Sequence, residues 1–221
     1  GTLTLAGDAN LETNLLIGNN DSTGTSTMPT SSVSLMGGTF NAVLNNLTIG
    51  LHGGGGGSGD GSLSFEAGTV TVNGIVLADT DAGGTSTADA STDGILNFDG
   101  DVLDLKGGDI TDGGGTPTFT FTGGTLKDVN SIDLDLDQQG GTIQIGADGT
   151  ADNMTVDGDY TGTGGSLAID ILGNAGSGVA GGSDQLDVLG GVNLGAGVVT
   201  LNLSGAYIPS TGEAFTIIDN D

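Results

Sequence analysis

The chain has 221 residues and carries 28 acidic side chains against 2 basic ones, which gives a formal net charge of −26. This charge excludes nucleic acid and anionic membrane surfaces as partners, because both require lysine and arginine at the contact. The lack of cysteine excludes disulfides and thiolate metal sites, and no apolar run approaches the roughly 20 residues that direct membrane insertion as a helix requires.

One phrase recurs along the chain: an apolar alternation, a glycine-rich corner, a second alternation, a short gap and a third alternation. Apolar residues at every second position, in short runs separated by Gly, Asn and Asp, predict short strands joined by tight corners. In chain order the copies are "GTLTLAGDANLETNLLIG" at 1–18, "VSLMGGTFNAVLNNLTIG" at 33–50, "LSFEAGTVTVNGIVLAD" at 63–79, "ILNFDGDVLDLKGGDIT" at 95–111, "FTFTGGTLKDVNSIDLDLDQQ" at 119–139 and "GTIQIGADGTADNMTVDGDY" at 141–160.

The repeat length drifts because polar inserts follow the third alternation in the early copies. We therefore expect one solenoid unit over 1–221, with longer-period turns in 1–115 and shorter-period turns in 116–221. Both ends lie in mid-pattern, so the unit is expected to be a segment of a longer polypeptide. The polar inserts occupy 19–32, 51–62 and 79–94.

Three strands per repeat around a constant short unit predict an all-β fold, a parallel β-helix or β-solenoid. We expect it to have about eight rungs. A β-sandwich is the rival, because short alternating strands alone do not separate the two folds. Inserts at one fixed phase favour the solenoid, in which they form polar loops along one edge.

The solenoid interior is expected to consist of columns of like residues, each buried aliphatic side chain contributing roughly 1.5–3 kcal/mol. Leu134, Ile143 and Ile169 are also expected to point inward. One column contains Leu5, Leu35, Phe65 and Phe98, and another contains Leu16 or Ile17, Ile49 and Leu77.

Two long stretches of the later half resemble a known family. They are "TFTFTGGTLKDVNSIDLDLDQQGGTIQIGADGTADNMTVDGDYTGTGGSLAIDILG" and "SDQLDVLGGVNLGAGVVTLNLSGAYIPSTGEAFTIIDND". Both look like the autotransporter-associated β-strand repeats of bacterial surface and secreted proteins, and the first hundred residues resemble these repeats more loosely. The resemblance implies a right-handed β-solenoid passenger region outside the cell, structural or adhesive in role, and it brings no catalytic residues.

The stretch "SIDLDLD" at 131–137 places Asp133, Asp135 and Asp137 at consecutive outward positions. The main interpretation is a solvated strand face, and a calcium site is the alternative. Alternate carboxylates on one strand lie about 6.6–7 Å apart. Calcium requires oxygens at about 2.3–2.6 Å, so a neighbouring rung or chain would have to complete the site.

A second acidic stretch, "GADGTADNMTVDGD", is the strongest local cation candidate, with Asp148, Asp152, Asp157 and Asp159. Asp-Gly corners flanking a strand bring carboxylates and carbonyls together, although the spacing of an EF-hand is missing. Ordinary turn chemistry is the main interpretation. The single histidine, His52, precedes a polyglycine run, which predicts a flexible, exposed loop that does not hold a catalytic base.

These observations predict a non-enzymatic extracellular rod, part of a bacterial surface fibre, sheath or large adhesin. No cofactor is required, calcium is the candidate ligand, and the expected partners are copies of the chain or other surface components. The alternative is a β-helical polysaccharide-active enzyme, a lyase or a glycoside hydrolase. A groove lined by convergent acids and aromatic side chains would favour this enzyme.

Overall fold

The computed structural model is built from β-strands, turns and loops. Its described residues include no helix of sufficient length and hydrophobicity to cross a membrane. Residues 21–29, 53–57 and 81–91 of the predicted inserts lie outside the described residues, so the expectation that the inserts line one edge stays a prediction. The structure describes residues 1–5, 13–20, 30–52, 58–80, 92–195 and 200–220.

Most strands are short, as expected for a chain in which Gly, Asn and Asp interrupt each apolar alternation. They are β1 (Thr2–Leu5), β2 (Leu15–Asn20), β3 (Ser31–Leu35), β4 (Thr39–His52), β5 (Gly61–Phe65), β6 (Thr69–Asp79), β7 (Asp93–Phe98), β8 (Val102–Asp112), β9 (Thr116–Phe121), β10 (Thr125–Ile132), β11 (Leu136–Gln138), β12 (Thr142–Gln144), β13 (Asn153–Val156), β14 (Tyr160–Gly162), β15 (Ser166–Asp170), β16 (Gln185–Val188), β17 (Val192–Asn193), β18 (Thr200–Ser204) and β19 (Ile218–Asn220).

Every pairing between these strands is parallel, and the strands stack in chain order. A 12-stranded sheet runs β1-β4-β6-β8-β10-β12-β15-β18, and a separate 7-stranded sheet contains β3, β5, β7, β9, β11, β14 and β17. The long strands bend: the first part of β4 pairs with β1 and its last part pairs with β2. The larger sheet therefore forms two faces of the coil.

We call these faces A, B and C. Face A contains β1, β12, β15, β18 and the first parts of β4, β6, β8 and β10. Face B contains β2, β13, β16, β19 and the last parts of the same four strands, and face C is the 7-stranded sheet. This arrangement confirms the parallel β-helix and rejects the antiparallel sandwich. Handedness stays a prediction.

The aromatic column on face C follows the predicted stack and extends it. Leu35 is in register with Phe65, Phe65 with Phe98, and Phe98 with Phe121. The rings of Phe65 and Phe98 have centroids 5.3 Å apart, and those of Phe98 and Phe121 lie 5.4 Å apart and nearly parallel. Leu5 does not belong to this column. It pairs with Ala42 on face A, so its predicted position was wrong.

The aliphatic column on face B is confirmed. Ile17 is in register with Ile49, and Ile49 with Leu77, and all three side chains are buried. Leu16 is 41% exposed, which settles the choice between Leu16 and Ile17 left by the sequence. Of the other residues predicted to point inward, Ile143 and Ile169 are buried, whereas Leu35 and Leu134 are partly buried against the core.

A polar pair interrupts the apolar interior where the phenyl column ends. Gln138 is in register with Phe121 and is fully buried. Its amide oxygen accepts a hydrogen bond from the Tyr160 hydroxyl at 2.7 Å, and its amide nitrogen donates to the Ser166 carbonyl at 3.1 Å. Burial raises the pKa of Tyr160 to about 12. The pair is stable inside the coil because each polar group has a partner.

Candidate functional site

The acidic stretch at 131–137 lies on a corner and not on a single strand. Strand β10 ends at Ile132, β11 begins at Leu136, and the chain turns between them. The alternation nevertheless continues, because Asp133 and Asp135 are exposed and Leu134 is partly buried. The expectation that three aspartates extend from one straight strand was therefore wrong, since a corner of the coil separates Asp133 from Asp137.

This corner is also where the coil changes circumference. Ile110 is in register with Ile132 on face B, and Thr120 is in register with Asp137 on face C. Ten residues lead from Ile110 to Thr120 in the earlier rung, but only five lead from Ile132 to Asp137 in the next. The wider rung therefore extends beyond the narrower one at the corner between faces B and C.

A groove of about 470 Å³ lies at this step. We call it the step groove. Its polar lining consists of carboxylates, two hydroxyls and one amide, and its apolar lining comes from a proline, a leucine and a nearly buried phenylalanine. The residues that line it are Asp112, Pro117, Thr118, Phe119, Thr120, Asp133, Leu134, Asp135, Asp137 and Gln139.

Two of the groove carboxylates differ in environment. Burial raises the pKa of Asp133, and the charges of Asp157 and Asp109 act in the same direction. Asp137 accepts a hydrogen bond from the Gln139 amide at its Oδ2 atom, 2.8 Å away. Its Oδ1 atom is buried and has no hydrogen-bond partner among the described residues. An unsatisfied buried acceptor costs about 1–3 kcal/mol, so this oxygen would gain a donor only if a rotation of the side chain exposed it to the groove.

Other acidic side chains bind the backbone of a neighbouring rung. The Asp135 carboxylate accepts the N–H of Asp159 at 2.8 Å, and the Asp159 carboxylate accepts the N–H of Gly191 at 2.7 Å. Asp60 accepts the N–H of Asp93 in the same way, at 3.1 Å. Each carboxylate thus satisfies an amide at a corner, which is the role that short Asp side chains have in turns.

The predicted cation candidates in the second acidic stretch do not converge. Asp148 accepts from the Lys127 ammonium at 3.1 Å, and this hydrogen bond lowers the pKa of the Asp148 carboxyl. Asp152 accepts the N–H of Asn153 at 2.9 Å, and Asp157 is exposed. No group of three or more His, Cys, Asp or Glu side chains in the described part of the chain is placed to hold a metal ion. Calcium binding therefore stays a prediction.

No sequence pattern singles out Asp184, yet it is the most buried carboxylate of the described chain. It is 1% exposed and accepts two backbone N–H groups, from Asp152 at 2.9 Å and from Asp170 at 2.7 Å. Burial raises its pKa to about 6, and the charges of Asp170 and Asp152 act in the same direction. Asp184 joins two rungs, and its proton is lost near pH 6, well above the ordinary range of an aspartate.

His52 is not in an exposed loop. It is the last residue of β4 and is 1% exposed, so the prediction from the neighbouring polyglycine run was wrong. The left-handed backbone at Gly50, with φ of 78°, lets the strand turn and continue, and the alternation then places His52 inside. This buried position at a strand end indicates a structural role for His52.

Comparisons of the chain with protein-family models, curated proteins and solved structures give no match. No relative therefore assigns an activity. The functional conclusion depends on the geometry of this chain and on the pattern of its sequence.

Proposed function

We propose that this chain is a non-enzymatic structural or adhesive rod, part of an extracellular bacterial fibre, sheath or adhesin. The observation that carries the proposal is the use of its acidic side chains. Asp135, Asp159 and Asp184 accept backbone N–H groups of neighbouring rungs, so their carboxylates hold the coil together. Acidic residues used in this way support a rod of stacked rungs.

The continuous interior supports the same role. Buried apolar residues run from Ile17 to Val188 as one cluster through faces A, B and C. A repeat fold of this kind is stabilised mainly by contacts between neighbouring rungs, so its length is limited by the number of rungs and not by the size of a single core. An extracellular location is supported by the resemblance to passenger repeats.

The charge makes self-association dependent on cations. A formal charge of −26 makes copies of the chain repel one another. Divalent cations are expected to screen or bridge the exposed carboxylates, so lateral packing of rods should depend on calcium. We propose that the rod is a right-handed coil of about eight rungs.

The test is electron microscopy and analytical ultracentrifugation of the full-length gene product, first in calcium and then in chelator. Elongated rods in both conditions, with lateral association only in calcium, are expected. Compact globular monomers in both conditions would contradict the proposal.

The step groove is the one observation that favours the alternative, a polysaccharide-active enzyme, because acidic side chains and Phe119 line it together. Glycoside hydrolases use two carboxyl groups on either side of the scissile bond. Release of new reducing ends from a neutral polysaccharide, abolished in Asp133→Asn, would establish this activity and remove the non-enzymatic proposal.

A further inference from the structure

We propose that the step groove binds a saccharide that carries no acidic group. The proposal rests on the adhesive part of the proposed function, to which it adds a ligand class and a place on the rod. It is carried by the shape of the groove, by the chemistry of its lining and by one oxygen that has no hydrogen-bond partner among the described residues.

The shape comes from the step between two rungs. The earlier rung takes ten residues to connect Ile110 with Thr120, whereas the next rung connects Ile132 with Asp137 in five. The shorter connection lies further inward, and a groove of about 470 Å³ remains beside face C. Because ladder hydrogen bonds fix both sides of the corner, the groove is built into the coil. A preformed concave site of this volume lies within the usual range for small ligands.

The lining has two kinds of surface that match a sugar ring. Pro117 and Leu134, with the nearly buried Phe119 beside them, provide an apolar wall for the C–H face of a pyranose. Thr118 and Thr120, together with the groove carboxylates, provide a rim rich in hydrogen-bond acceptors. Sugar hydroxyls are donors, so they complement a rim in which acceptors predominate.

The charge of the rim selects among sugars. Four carboxylates line the groove, and no lysine lines it. Each lysine lies close to an aspartate elsewhere, with Lys106 at 2.8 Å from Asp104 and Lys127 at 3.1 Å from Asp148. An acidic sugar would therefore enter without a compensating cation and be repelled. Neutral sugars and amino sugars meet no such barrier.

The Oδ1 atom of Asp137 identifies where the ligand donates. The atom is buried and has no partner among the described residues, whereas the Oδ2 atom of the same carboxylate is occupied by Gln139. Asp137 is in register with Thr120, so the two side chains lie side by side on neighbouring strands of face C. A small rotation of the Asp137 side chain would bring Oδ1 to the groove surface, where a sugar hydroxyl donating to it would satisfy this acceptor.

The experiment measures binding of neutral, amino-bearing and uronic-acid oligosaccharides to the whole chain by isothermal titration calorimetry and NMR line broadening. Neutral or amino-bearing sugars should bind, and uronic acids should not. Asp137→Ala should weaken binding at least tenfold. Thr118→Trp, at an exposed position, should do the same by filling the groove. The matched control Asp99→Ala removes an exposed carboxylate that does not line the groove and should leave binding unchanged.

Thermal unfolding of each variant separates loss of the site from loss of the fold. If Asp137→Ala is unfolded, sugar binding by Thr118→Trp alone tests whether the groove is the binding site. The proposal is overturned if no acid-free sugar binds, if uronic acids bind equally well, if both groove variants bind like the parent chain, or if calcium alone binds at the groove. If the chain forms rods that bind no sugar, the sugar-binding proposal is wrong and the rod proposal stands. If the chain is a globular monomer that binds sugar, the rod proposal is wrong and the sugar-binding proposal stands.

Discussion

Replacing Asp184 with asparagine should remove a defined part of the pH dependence of stability. The side chain is 1% exposed, accepts the N–H groups of Asp152 and Asp170, and has the carboxylates of the same two residues beside it. Asparagine is nearly the same size but does not titrate. It also loses one of the two acceptors, and this cost is the same at every pH.

The magnitude follows from the two pKa values of Asp184. The carboxyl titrates at about 6 in the folded chain, against its ordinary 3.8 in the unfolded chain. Below 3.8 both states are protonated, and the folded state has no charge to bury. As the pH rises from 3.8 through 6, the unfolded state loses its proton first, so folding becomes less favourable. The full difference is about 3 kcal/mol, and about four fifths of it is lost between pH 4 and pH 7.5.

Urea denaturation at pH 4 and pH 7.5 measures this difference, because urea adds no ions that would screen the charges. The free energy of unfolding of the parent chain should fall between the two pH values by about 2–3 kcal/mol more than that of Asp184→Asn. Asp99→Asn removes one exposed carboxylate and controls for the change in net charge. Parallel pH profiles for the parent chain and Asp184→Asn would refute the reasoning.

Three further predictions concern packing, backbone and charge. Phe98→Ala removes a fully buried ring from the aromatic column and should cost about 3–5 kcal/mol in urea denaturation, whereas Leu189→Ala, 60% exposed, should change stability by less than about 0.5 kcal/mol. Similar losses of stability in the two variants would contradict a stabilising role for the aromatic column. Gly149→Ala (φ +74°) should cost about 1–2 kcal/mol through its backbone conformation alone. Gly124→Ala (φ +73°) should cost clearly more, because its added Cβ would lie 1.6 Å from the Gly100 carbonyl oxygen. Equal destabilisation by the two glycine substitutions would contradict this steric clash. Salt should raise the melting temperature, and calcium at equal ionic strength should raise it further; a melting temperature that chelator and low salt leave unmoved would end the calcium hypothesis.

The inward and outward positions of the strands were predictable from the sequence. A period of two in apolar residues fixes which side chains share a face, and a shift by one residue would expose every one of them. Phe65, Phe98 and Leu77 were therefore assigned correctly without knowledge of the coil. Register within a column was predictable only where the repeats are alike. Leu5 was misplaced because the first rung matches the repeat loosely.

The corners were not predictable, because alternation does not reveal where a strand ends. The side chains from Ile132 to Gln138 alternate between inside and outside through a bend that interrupts the strand. The step groove depends on the lengths of two successive corners, and these become comparable only once the register is known. Asp184 has no distinguishing pattern either. Its neighbours, "GGSDQLDV", look like any other acidic turn before a strand.

The unequal corners between faces B and C have a consequence for how such a chain can change during evolution. Adjacent rungs are held in register by the ladders on the faces, so residues gained or lost in the corner leave the strand pairing intact. Lengthening a surface loop costs little, about 0.6 kcal/mol for each doubling of its length. A lineage can therefore add or delete whole loops at this corner while the scaffold stays unchanged. The same corner is the natural place to insert a foreign peptide for display at a fixed position along the rod.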